Sequence, residues 1–351
     1  MAPGNARDEV GFFGRLLMVG LPGPRVDKVA RELVRELRVA GFIFFARNLE
    51  GPEQVWHLTR ELQKEALFLG DLPLLLAVDQ EGGPVQRLKA PFTIIPAARK
   101  LGASATPDEV RLLAKTVARE LALVGLNMNL APVLDVARGP ECPQWERSFG
   151  PEPERVAAFG VGALQGYRAG GVIPVAKHFP GLGDTDRDSH EVLPTAQNPD
   201  PCRETDLFPF RRALAAGAPA VMTAHLKVPA WDIRPATLSQ VALTDWLRRR
   251  LGFQGVIMTD DLEMGAIARD WPLFEAACQA LAAGADLLLI CNNWQAAFDT
   301  GERLRKETKL ADRAQEAAAR LARLRKSISP VLPDLKTIRE YFARPTQPPA
   351  P

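Results

Sequence analysis

The chain has 351 residues, 46% apolar and 25% charged, with net charge +2, and its length suits two average domains or one large α/β barrel. The single dense basic run, Arg248-Arg249-Arg250, falls where a helix should end, so it reads as a solvated terminus and nucleic acid is not expected as a partner. No apolar run nears the ~20 residues that span a bilayer, no leader pattern opens the chain, and its four cysteines lack C-x-x-C spacing. These features point to a cytoplasmic protein with reduced thiols, no membrane partner and no zinc.

Apolar runs rich in Val, Ile, Leu and Phe stand at 16–22, 42–46, 73–78, 126–134, 172–176, 219–224, 255–259 and 286–291. Most are continuous rather than alternating, as strands buried on both faces require. Helical patterns follow them near 26–40, 53–69, 107–123, 153–168, 203–216, 244–251, 270–283 and 294–307. The third is the clearest. Thr106 can cap it, Pro107 suits the first helical position, and Asp108 and Glu109 favour the positive end of its dipole. Val110, Leu113, Val117 and Leu121 then form its core stripe, with Arg111, Lys115 and Arg119 outside. Gly70 and Gly252 fit left-handed C-caps.

Strand–helix alternation requires parallel pairing and right-handed crossovers. Eight units in about 300 residues predict a single-domain α/β fold, a closed (β/α)8 barrel of the TIM type. An open doubly wound sheet is the alternative, although no G-x-G-x-x-G follows the first strand. The barrel is expected over 1–330, with 308–326 continuing as helix. The chain beyond 326 reads as loosely packed, with a Pro-containing tail at 331–351.

Chemistry in such barrels sits on the loops after the strands. Asp79 follows the third run, with Arg87 eight residues on; Asp135 and Glu146-Arg147-Ser148 follow the fourth. Lys177 and His178 end the fifth and open a long loop to His190; His225, Asp260-Asp261 and Asn292-Asn293 end the last three. Three of the four histidines thus fall on one predicted rim, while His57 reads as an ordinary residue in mid-helix. These side chains suit a hydroxyl-rich, sugar-like ligand. Asp260, at the end of a buried strand, is placed rigidly enough for a nucleophile. His190 lies two residues beyond Asp188, and a neighbouring carboxylate orients an imidazole and helps it hold a proton near neutrality. Such a pair can protonate a leaving group and then activate water.

Structural readings compete with each assignment. Asp260 can cap the next helix, and Lys177-His178 can be a buried pair with structural hydrogen bonds. Asp184, Asp186 and Asp188 do not make a calcium loop, because Ser189 and Thr195 occupy the Gly and Glu positions; Asp184 and Asp186 then read as solvated turn residues. A metal-dependent amidohydrolase would need H-x-H after the first strand, where Gly20-Leu21-Pro22 stands. No metal or cofactor is expected.

DQEGGPVQR (79–87), ERSFG (146–150), KHFPGLGDTDRDSHEVLP (177–194) and VIMTDDLEM (256–264) resemble the four signatures of family-three glycoside hydrolases. Within that family the resemblance is to single-domain β-N-acetylhexosaminidases of cell-wall recycling, and PAWDIRPATLS (229–239) adds to it. It implies a saccharide substrate and a monomeric barrel without a second domain. It also implies Asp260 as nucleophile, His190 as acid/base with Asp188 as its partner, and Asp79, Arg87, Arg147, Lys177 and His178 as holders of the sugar hydroxyls. The stereochemical expectation is retention by double displacement. An imidazole acid/base adds no negative charge near the anomeric carbon, so phosphorolysis is an alternative in the same site. Two positions depart from the common pattern: Leu182 replaces a His or Arg and Pro84 an Arg, and both alter loop polarity.

Overall fold

The computed structural model describes residues 13–200 and 202–343. The opening stretch read for a leader, up to residue 12, and the Pro-rich finish from 344 lie outside the described residues. Eight strands form the core: β1 (Leu17–Gly20), β2 (Gly41–Phe44), β3 (Leu75–Val78), β4 (Met128–Asn129), β5 (Ile173–Phe179), β6 (Ala220–Thr223), β7 (Val256–Asp261) and β8 (Leu287–Ile290). They hydrogen-bond in the order β1-β8-β7-β6-β5-β4-β3-β2, and every pairing is parallel. β1 pairs with β2 and also with β8, at Leu17↔Leu288, so the sheet closes and the open-sheet alternative falls.

The continuous apolar runs are buried on both faces: β1, β2, β3, β6 and β8 are buried at every position. β4 is shorter than its sequence run. Pro132 lacks an N–H, and the chain leaves the sheet with Val133 bridging Lys177 in isolation. Between β3 and β4 a small hairpin, Gln80–Gly82 with Val85–Gln86, rises beside the barrel mouth, and Pro84 sits exposed in its turn.

Thr106 caps the helix Pro107–Leu123 as expected, its Oγ1 accepting from Glu109 N (3.3 Å), and Glu109 goes beyond a dipole role by accepting from Thr106 N (2.6 Å), which completes a capping box. Its stripe Val110, Leu113, Val117 and Leu121 is buried. It packs closely on Pro153–Ala169, and a Cβ on Gly166 would lie 2.3 Å from Arg111 O. Glycine is therefore required there by the approach of two backbones, although it weakens the helix itself.

Two expectations need correction. The chain after 326 is not loosely packed as far as it is described. Asp334 caps a helix over Leu335–Phe342 by accepting from Thr337 N (2.8 Å). Ile338 of that helix is fully buried, Phe342 meets Phe92 with ring centroids 4.7 Å apart, and Trp56 Nε1 donates to Pro333 O (3.0 Å). The surrounding prolines masked a short amphipathic helix. Arg248, read as part of a solvated terminus, donates to Phe253 O (3.0 Å) and pairs with the fully buried Asp286, which Arg313 and Arg320 also hold. A buried carboxylate needs such partners.

Candidate active site

The floor of the barrel mouth is an ion cluster drawn from β5 and from the segments that follow β3 and β4. Lys177 Nζ reaches Asp79 (2.8 Å) and Glu81 (2.6 Å), and Arg147 holds Glu81 through two parallel bonds of 2.8 Å. Such a bidentate fork fixes both partners. Burial opposes ionisation of Glu81, but Arg147 and Lys177 outweigh it and hold the carboxyl well below the usual range. Burial likewise pulls Lys177 down, and Asp79 and Glu81 more than reverse it, so the ammonium is retained. Next to Lys177, His178 Nδ1 donates to Asp135 Oδ2 (2.7 Å), whose other oxygen accepts from Leu182 N (2.8 Å). The structural reading of Lys177-His178 is therefore correct as far as it goes, and the pair also faces the cavity.

Removing one member should show how tightly the cluster is coupled. Glu81→Ala leaves Arg147 and Lys177 buried with too little negative charge and should destabilise the fold by about 3–5 kcal/mol. Urea unfolding of the variant checks this; an unchanged midpoint would mean that water or a rearranged Asp79 replaces the carboxylate.

On the opposite wall, β7 ends in Asp260 and Asp261. Asp260 Oδ1 accepts from Asp261 N (2.8 Å). Burial pushes the Asp260 carboxyl up, but the imidazoles of His225 and His178, the Asp261 amide and Lys177 together hold it below the ordinary aspartate range. The acid at the strand end is thus kept ionised. His225, buried at the end of β6, sits 2.8 Å from Asp261 O through Nε2 and 2.8 Å from Thr237 Oγ1 through Nδ1. A carbonyl only accepts, so Nε2 carries a proton; burial lowers the ring's basicity, and the Thr237 hydroxyl beside Nδ1 donates its own proton to Ala224 O (2.9 Å). The 229–239 stretch thereby braces the strand that carries Asp260.

Asp261 behaves oppositely to its neighbour. Burial, with Glu263 and Asp260 nearby, raises its pKa to about 7 against the hydrogen bonds from Glu263 N and Cys291 N. A carboxyl raised on folding favours the folded state least when ionised, so stability falls as pH climbs from the unfolded value through 7. Asp261→Asn, which mimics the protonated acid, should therefore gain roughly 2–3 kcal/mol on wild type between pH 5 and pH 8. Urea unfolding of both proteins at the two pH values tests this.

The loop after β5 carries the third group. Its base is pinned by Arg203, fully buried, which donates to Gly181 O (3.0 Å) and pairs with Asp184 (3.3 Å) and Asp206 (3.0 Å). Asp184 is thus buried and paired, not the solvated turn residue expected; its partner lies 19 residues away, beyond any local pattern. Asp186 is exposed. Leu182 packs with Ala224, Leu226 and Val228, so its departure from the common pattern puts an apolar group under the loop. At the tip, Asp188 Oδ1 lies 2.8 Å from His190 Nδ1 and 2.9 Å from His190 N. Burial opposes ionisation of Asp188, but those two bonds prevail and lower its pKa. A carboxylate only accepts, so His190 Nδ1 carries a proton and Nε2 is the ring nitrogen that can exchange one. The His190 side chain is 69% exposed.

Asp260 and His190 face one cavity of about 200 Å³ at the mouth of the barrel. Asp79, Arg87, Arg147, Lys177 and His178 line it too, and Asp188 stands behind His190. Arg87 lies 3.8 Å from Asp79. Every residue predicted for the site is therefore in or directly behind one cavity. Glu81 and Gln144 help shape it and were not picked out from the sequence, while Asp135, Asp261 and Asn292 were placed on the rim without a role. Glu81 sits in the same DQEGG segment as Asp79, but its role depends on partners 66 and 96 positions away. Among the described residues no group of three or more His, Cys, Asp or Glu is arranged to hold a metal ion, and no helix is long and apolar enough to cross a membrane.

Residues 12–324 match the N-terminal domain of glycosyl hydrolase family 3. The chain belongs to that family. It is a hydrolase of O-glycosyl bonds. A β-hexosaminidase of Alkalilimnicola ehrlichii is 40% identical over 287 residues, covering 80% of this chain and 81% of that protein. A family 3 β-N-acetylglucosaminidase from Paenibacillus sp. str. FPU-7 superposes with a TM-score of 0.88 at 39% identity, covering 91% of this chain; the chain spans 62% of that protein's length. A β-N-acetylhexosaminidase from Beutenbergia cavernae superposes with a TM-score of 0.85 at 30% identity, covering 91% of this chain and 98% of that one. In this family 3 hydrolase the cavity that Asp260 and His190 face lies at the C-terminal mouth of the barrel.

Proposed function

We propose that the protein is a retaining exo-β-glycosidase that removes terminal N-acetyl-β-D-glucosamine, with Asp260 as nucleophile and His190, oriented by Asp188, as acid/base. The observation that carries this reading is the pairing on one cavity of an ionised strand-end carboxylate with a loop-borne imidazole whose Nδ1 is held by a carboxylate. In the first step the Asp260 carboxylate attacks the anomeric carbon, the bond to the leaving oxygen breaks, and His190 Nε2 gives that oxygen its proton. In the second, His190 takes a proton from water, the water oxygen bonds to the anomeric carbon, and Asp260 leaves as carboxylate. Asp79, Arg87, Arg147, Lys177 and His178 hold the sugar hydroxyls, their positions set by the ion cluster.

The N-acetylglucosamine preference draws on the activities named for the relatives. A cytoplasmic role in cell-wall sugar recycling belongs to the same reading. The decisive experiment is release of nitrophenol from an aryl N-acetyl-β-glucosaminide, followed by NMR of the first-formed sugar. The β-anomer is expected. An α-anomer would exclude double displacement, and indifference to the acetamide in a panel of aryl glycosides would exclude the substrate. Phosphorolysis is the second reading, favoured by an acid/base that brings no negative charge of its own; sugar 1-phosphate formed only with added phosphate would establish it.

A further inference from the structure

The tip of the loop after β5 rests on the short helix that follows β7, Gly265–Ala268. Gly265 N donates to His190 O (3.1 Å), and Ala266 N donates to Ser189 O (3.2 Å). These are the first amides of a helix, which have no partner within it. Within the tip, Asp188 O accepts from Glu191 N and Val192 N, both at 3.1 Å, so residues 188–192 form one tight turn. Ser189 is buried while the His190 ring projects outward. The backbone of the tip is therefore clamped and the imidazole presented.

What allows the contact is a missing side chain. A Cβ on Gly265 would lie 2.6 Å from Glu191 O and 2.7 Å from His190 O, well inside van der Waals contact and against backbone atoms that cannot rotate away. Gly265 is helical and does not lie in the left-handed region, so its conformation would accept alanine, which is the better helix former. Glycine here answers to the space taken by the loop.

We infer that Gly265 is a positioning residue for the acid/base: its bare Cα is the seat that sets where the His190 loop closes, and so couples the nucleophile strand to the proton donor. β7 delivers Asp260 at one end of a six-residue segment, Asp260–Gly265, and the loop seat at the other. The distance between nucleophile and acid is thus held by one short stretch of chain. The inference rests on the assignment of His190 as acid/base, and the test separates the two.

The test measures kcat/KM for aryl N-acetyl-β-glucosaminides of rising leaving-group pKa, with wild type, Gly265→Ala and His190→Ala side by side. A methyl group that lifts the tip should slow poor leaving groups by about 10–100-fold and 2,4-dinitrophenol departure by less than about 3-fold, because misplacing a proton donor by ~1 Å costs on that scale. Gly265→Ala should also remain trappable as a glycosyl-enzyme. Ala266→Pro is the second variant: it deletes the N–H that Ser189 accepts, in a first turn that tolerates proline, and should steepen the leaving-group dependence in the same direction. If Gly265→Ala matches wild type, or slows all leaving groups equally, while His190→Ala is steep, the seat is disproved and the acid/base assignment stands. If His190→Ala itself shows no leaving-group dependence, the assignment beneath it fails.

Discussion

Asp260→Ala is expected to lower kcat on every aryl glycoside by roughly 10^4-fold or more, about 5.5 kcal/mol of transition-state stabilisation. The size follows from what the carboxylate does. It forms the bond to the anomeric carbon, and no neighbour can replace it: Asp261 has its pKa raised to about 7 and both its oxygens are turned to Glu263, Cys291 and Asn292. The fold should survive, because Asp260 accepts one hydrogen bond from the adjacent amide and is partly open to the cavity. Wild-type enzyme should accumulate a covalent adduct on Asp260 with a slow 2-fluoro sugar, read by peptide mass spectrometry, and the variant should not. Label on any other carboxylate would remove Asp260 from its role.

His190→Ala is expected to behave differently. Poor leaving groups should slow by about 10^2–10^4-fold, the usual contribution of a placed general acid, while 2,4-dinitrophenol should depart almost as before. With that activated substrate the second step becomes limiting, since water has lost its base, and azide should restore turnover by attacking the glycosyl-enzyme without needing one. Azide-dependent formation of the β-glycosyl azide is the product to look for. Asp188→Ala should fall between wild type and His190→Ala, because the ring loses its partner at Nδ1 but not its place on the loop. A uniform effect on all leaving groups would show that His190 holds the loop rather than moves the proton.

Much of the fold could be read from local pattern. Continuous runs of Leu, Val, Ile and Phe mark strands buried on two faces, and Thr106 and Pro107 announce a helix start that the structure bears out. These signals are legible because strand burial and helix capping act between residues within a few positions of one another. Where a longer-range partner decides, local reading failed. Arg248 looked like a solvated cation until Asp286, 38 residues later, proved to be buried beside it. Asp184 looked like a turn residue until Arg203 folded back on it. The helix Leu335–Phe342 was hidden because its one buried side chain, Ile338, is too little to stand out among prolines.

By itself the sequence determined the order of strands and helices, the placement of ionisable groups at strand ends, and through its four motifs the resemblance that the family match bears out. Tertiary structure alone decided that the sheet closes, that Glu81 joins Arg147 and Lys177, and that Gly265 lies under the carbonyl of His190. The reason is physical. Periodicity and caps report which face of an element avoids water, whereas a buried charge or a bare Cα is stable only against a particular partner brought in from far along the chain, and no local pattern names that partner.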